Sequence, residues 1–347
     1  MFEQFRLEEP KAIFQDCGIS LLSLNEVTQE ISSKLRTNTA YPHLILQSRQ
    51  FVPGERCNNL FERLLNSNTS RIIINVDSSA RNDFNKYFRD FGDHDNISQV
   101  RYTHERYTDF PFAGSFIGRN HVRIILLGEE AYLSCFDFAE PSFNREEMFI
   151  KITQPEIVQM MKIIAFWDFE NGPNKWKQAV NGLDLVFDSG NTTEGYLSKY
   201  AEEEIIKRIQ PETTLWIVSS WHPDELVNSI REASMNGCEV NMLINRPYEI
   251  ESLKKIPHSL TKIASKYRFQ RDTNGIDYNI YQPTGNQFHA KFILMENAGQ
   301  FWWFVGTTNH TYFGSQAKTT ELGIAGQDFL VGCQLQSYIK KINKQRV

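Results

Sequence analysis

Thr214-Leu215-Trp216-Ile217-Val218-Ser219 reads as a strand, Pro223 interrupts the chain, and Asp224 to Met235 has a helical pattern. Gly237 fits a helix C-cap, and Glu239-Val240-Asn241-Met242-Leu243-Ile244 is a second β-rich run. The same order stands earlier in the chain. There Tyr41-Pro42-His43-Leu44-Ile45-Leu46 is followed by Pro53, a helical stretch from Cys57 to Leu65, and Arg71-Ile72-Ile73-Ile74-Asn75-Val76. Pro53 and Pro223 stand 170 positions apart, and so do Ile74 and Ile244. Two strand–helix–strand units at one offset define an internal repeat.

The correspondence runs on downstream. Asn120-His121-Val122-Arg123-Ile124-Ile125 faces Phe288-His289-Ala290-Lys291-Phe292-Ile293, now at an offset of 168. Tyr132-Leu133-Ser134-Cys135-Phe136-Asp137 faces Phe304-Val305-Gly306-Thr307-Thr308-Asn309, and Glu147-Met148-Phe149-Ile150 faces Glu321-Leu322-Gly323-Ile324. Each copy ends in a helical pattern, Pro155–Trp167 and Asp328–Ile342. The reading is α/β: two similar halves, each a mixed sheet flanked by helices. An N-terminal extension is expected over 1–40, with Ile19 to Leu35 as a helix. The first half is expected over 41–190 and the second over 191–347.

Composition narrows the function classes. The 347 residues carry 37 basic and 42 acidic side chains, net charge −5, with 41% hydrophobic residues. This excludes collagen-like, disulfide-dense and disordered chains, and also a strongly basic nucleic-acid coat, while a local basic groove remains compatible. The five cysteines are scattered with no CxxC pair, so neither a disulfide framework nor a zinc signature is expected and the compartment is read as cytoplasmic. The start of the chain lacks a signal-peptide pattern, and no apolar run is long enough to span a bilayer.

Chemistry concentrates around His289-Ala290-Lys291, Glu296, Gly306-Thr307-Thr308-Asn309 and Glu321. Residues two apart on a strand share a face, so His289 and Lys291 project together. A Gly with hydroxyls and Asn at the next strand end brings backbone and side-chain donors close. An imidazole, a fixed cation and donors together make an anion site able to attack, which is what phosphoryl transfer needs. An incidental basic pair on a half-exposed strand would explain His289 and Lys291 alone, but not the ordered set. Trp302-Trp303-Phe304 and Phe110-Pro111-Phe112 read as packing before substrate contact.

At these residues the chain resembles the phospholipase D superfamily, whose HxKx4D…GSxN motif is matched in kind. Glu296 stands in the place of Asp, and Gly306-Thr307-Thr308-Asn309 in the place of GSxN. The first copy is degenerate: His121-Val122-Arg123 replaces HxK, Gly128 occupies the acid position, and Ser134-Cys135-Phe136-Asp137 replaces GSxN. The resemblance covers roughly residues 40 to 345 and implies two phospholipase D-like halves related by a pseudo-twofold, with one site built from both.

It further implies a metal-independent phosphodiesterase without a cofactor, working through a phosphohistidine. His289 would be the nucleophile and His121 the general acid, in roles that could be exchanged. Lys291, Arg123 and Asn309 would bind phosphate oxygens, and Glu321 and Glu147 would orient the histidines. Thr307, Thr308, Asp137, Glu296 and His222 are expected to line the substrate site. Arg123 keeps charge with a different geometry. Nucleic acid is the favoured partner. A phospholipid substrate, or an inactive phosphate-binding module, is the alternative. A monomer already carries both motif copies, so a complete site needs no oligomer.

Overall fold

The computed structural model describes residues 17–36, 40–89, 97–103, 120–167, 172–190, 195–246, 256–312, 319–342 and 344–347. Phe110-Pro111-Phe112 lies outside them. The first sheet contains β1 (Ile19–Ser23), β2 (Leu44–Ser48), β4 (Ile72–Asp77), β5 (Ile97–Thr103), β6 (Arg123–Leu127), β7 (Glu130–Ser134) and β9 (Met148–Ile152). Their spatial order is β1-β9-β7-β6-β2-β4-β5. Its helices are α1 (Leu24–Arg36), α2 (Glu55–Leu65), α3 (Arg81–Arg89) and α4 (Pro155–Ala165). A two-stranded ladder, β3 (Phe51–Val52) with β8 (Phe138–Ala139), stands apart from the sheet.

The second sheet contains β10 (Lys175–Val180), β11 (Leu183–Asp188), β12 (Thr214–Ser219), β13 (Glu239–Ile244) and β14 (Asn279–Pro283). It is completed by β15 (Phe292–Asn297), β16 (Gln300–Gly306), β17 (Glu321–Gly326) and β18 (Lys344–Arg346), in the order β10-β11-β17-β16-β15-β12-β13-β14-β18. Its helices are α5 (Tyr196–Ile206), α6 (Val227–Met235), α7 (Ile256–Asp272) and α8 (Phe329–Lys341). From β11 to β14 the order repeats that of the first sheet strand for strand. In both sheets the β-branched runs pair in parallel, β2 with β4 and β12 with β13, and the motif strands are antiparallel.

The buried side chains form three layers. One cluster joins the outer face of the first sheet to its helices, including Val27, Phe61 and Phe84. Another does the same for the second sheet, including Ala201, Ile230 and Phe269. The third joins the facing surfaces of both sheets, with α4 (Ile157, Met161) and α8 (Val331, Leu335) between them. The largely apolar strands Ile72–Asp77 and Glu239–Ile244, buried throughout except at Glu239, follow from burial on both faces. Trp302, Trp303 and Phe304 are core residues, as the packing reading expects.

The ends of the halves differ from the sequence reading. Ile19–Ser23 is an edge strand paired with β9, and helix begins only at Leu24. Ser23 stops the strand and holds Glu26 in a capping box, donating from backbone N and Oγ at 2.7 Å each. Residues 175–188, read as the close of the first half, pair through β11 with β17 of the second sheet. The helix read from Asp224 starts at Val227, because the Asp224 carboxylate accepts from Tyr312 N at 3.0 Å and keeps that turn irregular. Gly237 follows α6 with φ 78°, the left-handed conformation its C-cap role requires.

Candidate active site at the seam

Strand register fixes the correspondence between the halves. Arg123 pairs with Ser134, and Gly306 N donates to Lys291 O at 3.1 Å, so Cys135 corresponds to Thr307 and Asp137 to Asn309. The start of each motif strand docks on the other half. His121 N donates to Thr320 O at 3.1 Å, and His289 N donates to Glu146 O at 3.1 Å. Parallel bridges Asn120–Thr320 and Glu146–Phe288 flank these contacts. The two motifs therefore meet along one seam.

This docking crosses the side chains as well. His121 Nδ1 lies 2.9 Å from Glu321 Oε1, and His289 Nδ1 lies 3.2 Å from Glu147 Oε1. Each imidazole is oriented by the acid of the opposite half. Where the acid is ionised it can only accept, which places the proton on Nδ1 and leaves Nε2 open. Burial, then Lys291, Arg123, Arg145 and Arg49, push His289 well below the usual histidine range and keep it neutral. Burial raises Glu147 to about 8 against the pull of Arg145 and Lys291. Burial also raises Glu321, opposed by its bond from Thr307 and by Lys291.

Lys291 is 3% exposed, and its Nζ donates to Cys135 Sγ at 3.1 Å across the seam. Cys135 in turn lies 3.7 Å from Gly306 O. Among the described residues Lys291 makes no direct ion pair with a carboxylate, and its charge acts through space on Glu147 and Glu321. Arg123 is placed differently. Its Nε and Nη2 donate to Asp137 at 2.9 and 3.3 Å, and Nη1 donates to His121 O at 2.6 Å. Burial opposes the Asp137 charge, yet Arg123 and then Arg49 hold its carboxyl below the ordinary range. The expectation that Arg123 binds phosphate is not met in this arrangement, because its fork is closed on Asp137. Asp137 is likewise a partner of Arg123 before it is a wall of the substrate site.

Asn309 is half-buried, and Ser219 Oγ donates to its carbonyl O at 3.1 Å and to its Oδ1 at 3.4 Å. Thr307 is a support: its Oγ1 donates to Glu321 Oε2 and accepts from Leu322 N. Thr308 Oγ1 accepts from His310 N at 3.1 Å and caps the turn. Gly306 is required by space, since a Cβ there would stand 2.6 Å from Leu322 O. Buried His310 is held by Ser198 Oγ at 3.1 Å and pushed down to about 3 by burial, so it is a neutral packing residue.

Two expected residues lie elsewhere. Glu296 is carried down β15 to the hairpin, where its Oε1 accepts from Gly299 N at 3.1 Å. Glu296 is seven positions past His289, about 23 Å along an extended chain, which removes it from that histidine. His222 follows β12, with its ring packed on Phe269 of α7 at 5.6 Å.

Two supports escaped the sequence reading. Asp77 Oδ2 accepts from Asn120 N at 2.6 Å, and Asn245 clamps both Phe288 N and O at 3.1 and 2.6 Å. Each ends the strand beside its motif and fixes the residue before a histidine. Their repetition, one residue past the β-rich runs, was the available signal.

Residues 205–341 match the family model described as the cardiolipin synthase phospholipase D-like domain. Over these residues the chain is similar to a phospholipase D-like domain. Solved structures with a similar fold include phosphatidylserine synthase from Haemophilus influenzae Rd KW20, at 14% identity and TM-score 0.66, over 95% of this chain and 87% of that one. Yeast tyrosyl-DNA phosphodiesterase 1 matches at 13% identity and TM-score 0.52, over 90% of each chain. Polyphosphate kinase from Porphyromonas gingivalis matches at 12% identity and TM-score 0.55, over 93% of this chain but 49% of its own. No curated protein matches at the sequence level. Among the described residues no helix is long and apolar enough to cross a membrane.

Proposed function

We propose that the chain is a metal-independent phosphodiesterase acting through a phosphohistidine, with nucleic acid as its favoured substrate. The observation that carries this is the buried Lys291 ammonium, in no direct ion pair among the described residues, beside two histidines each held by the opposite half's glutamate. His289 Nε2 attacks phosphorus as the P–O bond to the leaving group breaks. His121 gives its Nε2 proton to that oxygen. His121 then takes a proton from water, whose oxygen attacks phosphorus and releases His289. Lys291 and Asn309 neutralise and position the phosphoryl oxygens, so the charge stabilisation comes from side chains.

Support for a nucleic-acid substrate comes from the fold match to yeast tyrosyl-DNA phosphodiesterase 1 and from Tyr312, three residues past Asn309. Tyr312 is 38% exposed, with the Arg268 guanidinium 4.1 Å above its ring, a cation-backed face on which a base can stack. A second reading, a phospholipid headgroup hydrolase or transferase, is favoured by the cardiolipin synthase description of the matching domain and by the phosphatidylserine synthase fold.

Hydrolysis of bis(p-nitrophenyl) phosphate should survive EDTA and fall at least a thousandfold in His289→Ala, with a ³²P-labelled acid-labile intermediate trapped on the wild type. Full activity in that variant defeats the assignment. Labelled single-stranded DNA, RNA and phosphatidylglycerol vesicles then separate the two substrate readings.

A further inference from the structure

The halves differ most at the Asn slot. Asn309 offers an amide donor in the second half, whereas Asp137 in the first can only accept. The cation two residues after the histidine differs as well. Among the described residues Lys291 makes no direct ion pair, but Arg123, 4% exposed, has its fork closed on Asp137. Taken alone these two changes remove one donor and one net positive charge from the first half's side of the site.

A third residue returns both. Gln47 pairs with Ile124, and Val218 pairs with Phe292, each three positions after a motif histidine. Ser48 therefore corresponds to Ser219 and Arg49 to Ser220. Ser219 holds Asn309, and Ser48 likewise accepts at 3.2 Å from Phe138 N, the residue after Asp137. Position 49 thus lies beside the Asn slot, where the second half has a short buried hydroxyl. Arg49 Nη2 reaches to 3.8 Å from Asp137 Oδ2, and its side chain is 23% exposed. The ladder of Phe51 with Phe138, whose rings stack at 5.3 Å, fixes the two segments against each other.

We propose that Arg49 is the phosphate-binding residue of the first half, presenting from the neighbouring loop the donor and charge that Asp137 and the closed Arg123 do not. Arg123 and Asp137 are then an internal pair that positions Arg49, and the first half is re-engineered for binding, not decayed. The proposal rests on the reading of the seam as a phosphodiester site.

The test uses the full chain and tungstate, a phosphate analogue, followed by calorimetry, alongside turnover of bis(p-nitrophenyl) phosphate. Arg49→Gln should weaken tungstate binding about tenfold or more and raise KM. Arg49→Lys should recover part of the loss, because an ammonium keeps charge without the fork. Adding Asp137→Asn to Arg49→Gln should restore binding to within a few-fold of wild type, since the amide now donates. Thermal melts identify any variant that loses the fold, and Arg49→Lys then carries the comparison. Wild-type affinity in a folded Arg49→Gln overturns the role of Arg49 while leaving the site intact. Failure of wild type to bind tungstate, with Lys291→Met indistinguishable from it, instead defeats the phosphodiester reading and the proposal with it.

Discussion

Replacing Asp137 by Ala tests whether the Arg123–Asp137 pair is the internal support described. The guanidinium and carboxylate side chains are 4% and 6% exposed, so water cannot replace either partner. Removing one member of such a pair leaves a buried charge and costs about 3–5 kcal/mol. Arg123 keeps its 2.6 Å bond to His121 O, which favours the lower half of that range. The expected loss is therefore about 3–4 kcal/mol, or roughly 4–6 °C in Tm. Asp137→Asn keeps an acceptor and should cost about half as much. Arg123→Met with Asp137→Leu removes both charges and should lie within about 1.5 kcal/mol of wild type. Guanidinium denaturation followed by circular dichroism reads all three. A loss below about 1 kcal/mol in Asp137→Ala, or a double variant worse than the single, refutes the reasoning.

Other expectations bear on the site directly. Because Glu147 is raised to about 8, only about a tenth is ionised at pH 7, so kcat/KM should climb with an apparent pKa on the order of 8, a limb that Glu147→Gln removes. The same raised carboxyl contributes stability below about pH 4.5 that is lost as pH rises through about 8, measurable as a falling denaturation midpoint that Glu147→Gln flattens. Thr307→Val strands the buried Glu321 carboxylate and should cost about 1–3 kcal/mol together with a clear fall in kcat, while Thr307→Ser retains both. Glu296→Gln touches only the β15–β16 hairpin, so kcat should stay within twofold in the same turnover assay.

Much of this was legible in the chain because both signals are local. The runs Ile72–Asp77 and Glu239–Ile244 announce themselves by β-branched content, and the spacing of His289, Lys291 and Asn309 survives in the strand register. What was not legible is set by pairing at a distance. Ile19–Ser23 has five residues and no alternation to mark it, and becomes a strand only because the β9 edge is open to it. The same holds for Leu183–Asp188 on β17, which shifts the close of the first half. Glu296 was placed by motif spacing, but the strand period carries it away to a turn. Arg49 belongs to no motif spacing, and its relation to Asp137 exists only after the sheet has formed.

The crossed pairing of His121 with Glu321 and His289 with Glu147 also bears on how such a site can change. In a site made by two identical chains, every substitution appears twice, on both sides of the phosphate at once. Exchanging Lys for Arg and Asn for Asp would then blunt both walls together. Here one chain carries both walls, so one can be altered while its opposite preserves function and a nearby loop compensates. The acids cannot drift in that way, because each serves a histidine that belongs to the other half. The asymmetry of the two motifs, cations and amides divergent but histidines and glutamates kept, follows from which contacts stay within a half and which cross between them.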